Sequence, residues 1–208
     1  AVCVAGAIAG LFRLKSEAFI VDDLPKSNTV YTDLKFFETH FKGVMPLEIV
    51  IDTKKKQGVT RNLRNLEGID SLSKYLTAIP GIARPLSVTE GLKFARQGFY
   101  DGDSNNYSMP NAFDGAFMAD YLKPNKENAT AKGSLEKLMS SFIDSNKQVT
   151  RISVNMADVG SMRMPILIDS LEAHVPDYFD TSKVSVQLTG SSITFLEGSR
   201  FIIKGLKE

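Results

Sequence analysis

The chain is poor in the residues that most often build reactive centres. It has one cysteine, Cys3, and two histidines, His40 and His174, among 208 residues. A lone cysteine excludes an internal disulfide and a cysteine-rich zinc site. The histidines have no further ligands at metal-binding spacing, and each falls near a helix end, where a favourable contact with the helix dipole accounts for it. An excess of charge of one sign is missing too. Twenty-five basic and 24 acidic residues leave a net charge of +1. Phosphate backbones are bound by concentrated basic faces, so nucleic acid is not an expected partner. The basic residues that do cluster, "KKK" at 54–56 and the lysines spread over 123–147, read as solvated loops. Nucleophile-elbow, dinucleotide-fingerprint and P-loop patterns are all absent. No cofactor and no enzymatic activity are expected.

Long apolar runs are also lacking. The opening "AVCVAGAIAGLFRL" reaches twelve uncharged residues before Arg13, whereas a spanning helix needs about twenty. It lacks the basic start of a signal peptide. Its alanine and glycine content fits the lipid-embedded end of a helix cut off at its beginning. The closing "ITFLEGSRFIIKGLKE" is amphipathic, with both charge signs recurring, as in a helix lying at or leading into an interface.

What remains is an ordinary globular composition, 43% apolar and 24% charged, with clear periodicity. "DDLPKSN" stops one element, with Ser27 as the expected N-cap of a helix carrying Val30, Leu34, Phe37 and Phe41 on one face. Gly43 is the expected C-cap. Pro46 restricts the strand that follows to Leu47–Asp52. A helix over about 60–78 carries Leu63, Leu66, Ile69, Leu72, Tyr75 and Leu76, and Pro80-Gly81 ends it. "IARPLSV" reads as an edge strand, and Thr89 as the cap of a third helix. After a polar middle come a strand at "QVTRISVNM", a helix at 160–175 containing Pro165, and a strand at "KVSVQLTG". Asp158 marks the start of that helix. The order is β-α-β, helical insertion, β-α-β, an α+β fold of the split βαβ, ferredoxin-like kind with a four-stranded sheet. Both long helices would cover one face, and the other would need cover from the insertion or another chain.

The middle, "DGDSNNYSMPNAFDGAFMADYLKPNKENATAKGS", predicts helices at 112–122 and 133–143. Its start resembles a calcium loop in Asp101, Asp103 and Asn105. Asn106 stands where glycine is needed and Ala112 where the bidentate glutamate is needed, so a tight polar turn is the better reading. Asp22-Asp23, before a proline turn, cap and solvate. Met109, Phe113, Phe117 and Met118 are the candidate lining of an apolar cleft, methionine adapting to varied ligands, with ordinary core packing as the competing account.

At "DDLPKSNTVYTDLKFFETHFKGVMPLEIVIDTKKK", with "LKFARQGFYDGDSNNYSMPN", "RISVNMADVGS" and "LTGSSITFLEGSRFIIK", the chain resembles an extracytoplasmic loop of a bacterial RND-superfamily exporter of the MMPL, or hydrophobe-exporter, type. The resemblance runs over essentially the whole chain as residue order. "FFETHFKGVMPLEIVIDT" and "FYDGDSNNYSMPN" are its most specific parts. It implies a periplasmic porter domain in an inner-membrane transporter that exports lipids, drugs or other hydrophobic molecules by proton-coupled motion. Residues 1–15 would then end a transmembrane helix. Residues 16–192 would form the porter domain with its insertion at about 101–145, and 193–208 would lead to the next helix. The implied partners are a hydrophobic small molecule or lipid, the rest of the parent transporter, and the inner membrane; homo-oligomers are compatible with it. The proton-carrying acids of that family sit in transmembrane helices outside this sequence, so Asp22 and Asp23 do not take that role. The reading from another class is a stand-alone ferredoxin-like binding module for a hydrophobic ligand.

Overall fold

The computed structural model describes Phe19, residues 24–111, Asp114 and residues 140–205. The fold is mixed α+β. Helix α1 (Thr29–Phe41) leads into strand β1 (Met45–Asp52), then α2 (Gly58–Arg61), α3 (Leu63–Ala78) and α4 (Val88–Phe99). A 3-10 turn at Ser104–Asn106 precedes β2 (Val149–Met156), α5 (Gly160–Tyr178), β3 (Ser185–Thr189) and α6 (Ser191–Gly205). Among the described residues no helix is long and apolar enough to cross a membrane.

The strands form a three-stranded antiparallel sheet in the order β2-β1-β3. Met45, Leu47, Ile49 and Ile51 alternate inward from β1, and Thr150, Ile152, Val154 and Met156 from β2. Leu66, Ile69, Leu72 and Leu76 of α3 and Met164, Ile168, Leu171 and Val175 of α5 complete one apolar cluster with them. Val186 and Leu188 of β3, opposite Ile51 and Ile49, pack against its margin. The outward face carries Glu48, Asp52, Arg151, Asn155 and Gln187 and is polar, with Ser153 Oγ donating to Glu48 Oε1 at 2.7 Å. An antiparallel sheet can leave such a face to water.

The fourth strand expected from "IARPLSV" is reduced to two antiparallel bridges to β2, Ile82 to Met156 and Leu86 to Ser153. Leu86 exchanges both backbone bonds with Ser153, but Ala83 N rather than Arg84 N donates to Asn155 O, so the ladder slips by a residue between the two bridges. Pro46 lies inside the central strand, opposite Asn155. Its carbonyl accepts from Ser192 Oγ at 2.8 Å, so its missing N–H falls on the side where β3 has already ended at Thr189.

Several expected caps move by a residue or two. Asn28, not Ser27, caps α1 by accepting from Val30 N at 3.0 Å. Lys42, not Gly43, takes the left-handed C-cap conformation. Ser87 precedes α4, and Thr89 lies inside it with its hydroxyl 2.8 Å from Ser87 Oγ. The expected helix 60–78 breaks at Asn62, whose side chain accepts from Arg64 N at 3.2 Å. Asp158 does mark its helix start, accepting from Gly160 N. α5 runs on to Tyr178 and contains both Pro165 and Pro176. Of the helix expected at 133–143, Ser140 is helical and Ile143 already bridges to Thr150.

Gly43 has φ +140°, and a Cβ there would lie 2.1 Å from the Met156 carbonyl carbon. Gly98 has nothing within 4 Å of an added Cβ. Gly43→Ala should therefore lower stability by about 2–3 kcal/mol. Gly98→Ala, in the last turn of α4, should be neutral or stabilising by at most about 0.5–1 kcal/mol. Urea unfolding of the two variants checks the contrast.

Candidate functional site

Helix α3 packs its buried arc against the sheet, yet that arc includes Asp70 and Ser73, which are 5% and 4% exposed. An ionised carboxylate is tolerated there only with a partner. Lys93 supplies one from α4, its Nζ 2.5 Å from Asp70 Oδ1, and Lys74 a second from one turn along α3, at 2.8 Å from Oδ2. Lys93 Nζ also reaches Glu90 Oε1 at 2.7 Å. The other oxygen of Glu90 accepts from Arg84 Nη2 at 2.7 Å, Arg84 Nε at 3.1 Å and Tyr107 OH at 2.8 Å. The Arg84 guanidinium lies over the Tyr107 ring, 5.0 Å from its centre. One chain of ion pairs and hydrogen bonds thus ties α3, α4, the edge segment and the root of the insertion.

Burial disfavours charge on all three central groups, and their neighbours override it. Lys74 and Lys93 hold the Asp70 carboxyl below its usual range. Lys93, Tyr107 and Arg84 do the same for Glu90, and the two carboxylates hold Lys93 above the usual lysine range. Burial and Glu90 push the Tyr107 phenol up. At neutral pH all three central groups stay charged and partnered, an arrangement that fixes geometry and offers no poised base. A groove of about 350 Å³ opens beside it, with Ser73, Lys74, Thr77, Arg84, Glu90 and Lys93 in its lining. Ser73 Oγ is buried there with no hydrogen-bond partner among the described residues.

A second clasp closes the loop beyond α4. Arg96 Nε donates to Asp114 Oδ2 at 2.7 Å, Tyr100 OH to Asp114 Oδ1 at 2.9 Å, and Arg96 also donates to Ser108 Oγ. Asn111 and Asp114 exchange reciprocal side-chain-to-backbone bonds, and the Asn111 amide is first among the causes that hold the Asp114 carboxyl low. The calcium-like stretch forms a tight turn in which Asp103 Oδ1 accepts from Asn105 N at 2.9 Å. Among the described residues no group of three acidic, histidine or cysteine side chains could hold a metal.

Of the four cleft candidates, Met109 is half-buried against the core. Phe113, Phe117 and Met118 lie outside the described residues, as do Asp22, Asp23 and the expected helix at 112–122 apart from Asp114. The histidines stay apart: His40 stacks on Phe36, and His174 stacks on Tyr75 with its Nδ1 2.8 Å from Ser170 O. The Asp70–Lys93–Glu90 chain escaped sequence reasoning, although it left a signal. An aspartate inside the apolar stripe of α3 demands a cation, and "TEGLK" offers one.

Lys93→Met should destabilise the chain by about 3 kcal/mol, because two nearly buried carboxylates lose their shared cation. Asp70 and Glu90 have depressed folded pKa values, so their contribution is present above their unfolded values, about 3.9 and 4.3. It is lost as pH falls through the lower folded ones. Urea midpoints measured from pH 7 downward should fall steeply below about pH 4 in the parent and less in Lys93→Met.

Compared with protein-family models and with curated proteins, the chain matches none.

Proposed function

We propose that the chain is the extracytoplasmic porter domain of a proton-driven RND-superfamily exporter of lipids, drugs or other hydrophobic molecules, facing the periplasm from a bacterial inner membrane. The observation that carries the reading is where the outer helices join the sheet. α1 ends at the start of β1, and α6 begins where β3 ends, opposite Glu48. Ser192 Oγ at the start of α6 donates to Pro46 O at 2.8 Å, so both helices spring from one end of the sheet. α1 buries none of its residues, and Val30, Phe36, Phe37 and Phe41 are exposed along it. α6 buries Leu196 near its start and exposes Phe201 and Ile202 farther on. Two helices that leave one end of a folded body with apolar side chains uncovered suit a loop domain tethered twice to a membrane.

Within that reading the sheet is the split βαβ, ferredoxin-like arrangement, with residues 82–86 as its shortened fourth strand. The order 82–86, β2, β1, β3 supports it, with every neighbour antiparallel. Transport would then proceed by motion of this body as a unit. The Asp70–Lys93–Glu90 chain keeps it rigid, and cargo would meet Met109, Phe113, Phe117 and Met118 in the insertion.

Two measurements test the proposal. Sequencing the parent gene on both sides should find apolar stretches of about twenty residues beyond each end; polar sequence or stop codons there would instead leave a free-standing binding module. Titration with an environment-sensitive apolar dye should saturate and be weakened in Phe113→Ser and Phe117→Ser. Unsaturable binding, or no effect of either substitution, removes the insertion from the cargo path.

A further inference from the structure

At the end of the sheet opposite α1 and α6, β1 runs out into the loop before α2, and α5 turns back toward β3. A cleft of about 320 Å³ lies between them. Its lining includes Lys55, Lys56, Arg61, Arg64 and Lys183 against a single carboxylate, Asp180. The whole chain carries a net charge of only +1, so this cleft concentrates a basic excess that the rest of the surface cancels. Asp180 does not neutralise it. Lys183 Nζ binds Asp180 at 2.5 Å, and that bond together with the Ser182 hydroxyl lowers the Asp180 carboxyl to about 2. Lys55, Lys56, Arg61 and Arg64 have no carboxylate partner among the described residues.

The local order of charges is also adverse without a ligand. Arg61 and Arg64 flank the N-terminus of α3, whose first turn holds no acidic residue. A helix N-terminus is the positive end of its dipole and favours anions, so cations there repel both it and one another. A local rule broken with no compensating carboxylate among the described residues points to something that binds. The loop bearing these cations is held in place. Thr53 Oγ1 donates to Gln148 O at 2.8 Å, Gln57 N to Asn146 O at 2.8 Å, and Val59 N to Lys147 O at 3.1 Å. Asn65 Nδ2 ties Gly58 O to α3 at 2.9 Å. The half-buried Tyr178 and buried Phe179 supply an aromatic wall.

We propose that this cleft binds a phosphate group carried on a small molecule. Guanidinium pairs and ammonium groups match a doubly charged tetrahedral anion. The volume exceeds that of one phosphate and leaves room for an attached group against Tyr178. The phosphate belongs either to a soluble phosphomonoester or to the headgroup of an anionic lipid. The site stands whether or not the porter reading does, because it lies at the far end of the sheet from the helices that carry that reading.

The test is calorimetric titration of the chain with phenyl phosphate, and in parallel co-sedimentation with phosphatidylcholine vesicles with and without phosphatidic acid. The proposal expects saturable binding of one probe, weakened by added salt and by about tenfold or more in Arg61→Ala/Arg64→Ala. The exposed Lys26→Ala, before α1, serves as the control, and thermal unfolding checks that each variant folds. Binding of phenyl phosphate assigns a soluble ligand, and binding of phosphatidic-acid vesicles alone assigns a lipid headgroup. Saturable binding of neither probe overturns the site, as does a loss in Arg61→Ala/Arg64→Ala no larger than in Lys26→Ala.

Discussion

Burial of one face of β1 is the constraint on which the rest of the structure depends. Leu47, Ile49 and Ile51 are at most 1% exposed, and each such side chain contributes about 2 kcal/mol by leaving water. β1 lies between β2 and β3 and pairs with both, so its register sets that of β2 and β3 together. A slip of one residue would send all three inward side chains to the polar face. The turns at its ends are built to prevent that slip. Gly43 and Gly190 each admit backbone where a Cβ could not fit, against Met156 and Pro46 respectively. Thr53 closes the other end by bonding to Gln148 O.

Around that strand the molecule divides into two ends with different chemistry. One gathers the junctions of α1 and α6, with apolar side chains left uncovered along both helices. The other gathers cations in a cleft beneath a tightly tied loop. Between them, on the helical side, the Asp70–Lys93–Glu90 chain joins α3 to α4 and reaches the root of the insertion through Tyr107. Its groups are charged and ion-paired. Such a network costs desolvation and returns a fixed mutual orientation of helices.

The inward residues of β1 and the stripe Leu66, Ile69, Leu72 and Leu76 of α3 were legible because their spacing follows 2.0 and 3.6 residue periods, and burial rewards that spacing wherever the partner lies. Cap positions were less so: at Asn28 and Ser87 neighbouring polar residues compete, and only the path of the chain chooses between them. Strand membership at Pro46 could not be read locally, since it depends on where β3 ends. The cleft candidates were legible only as types: Met109 is half-buried against the core.

By itself the sequence determined the mixed α+β alternation of elements and the inward stripe of β1, because these depend on short-range periodicity. Only the tertiary structure decided the rest. It brought Asp70 to Lys93 across 23 positions, reduced the fourth strand to two bridges, and set Lys55 and Arg64 around the same cleft as Lys183. Contacts between residues far apart in the chain are set by how helices and strands pack, and no local pattern encodes which distant charge a buried charge will meet.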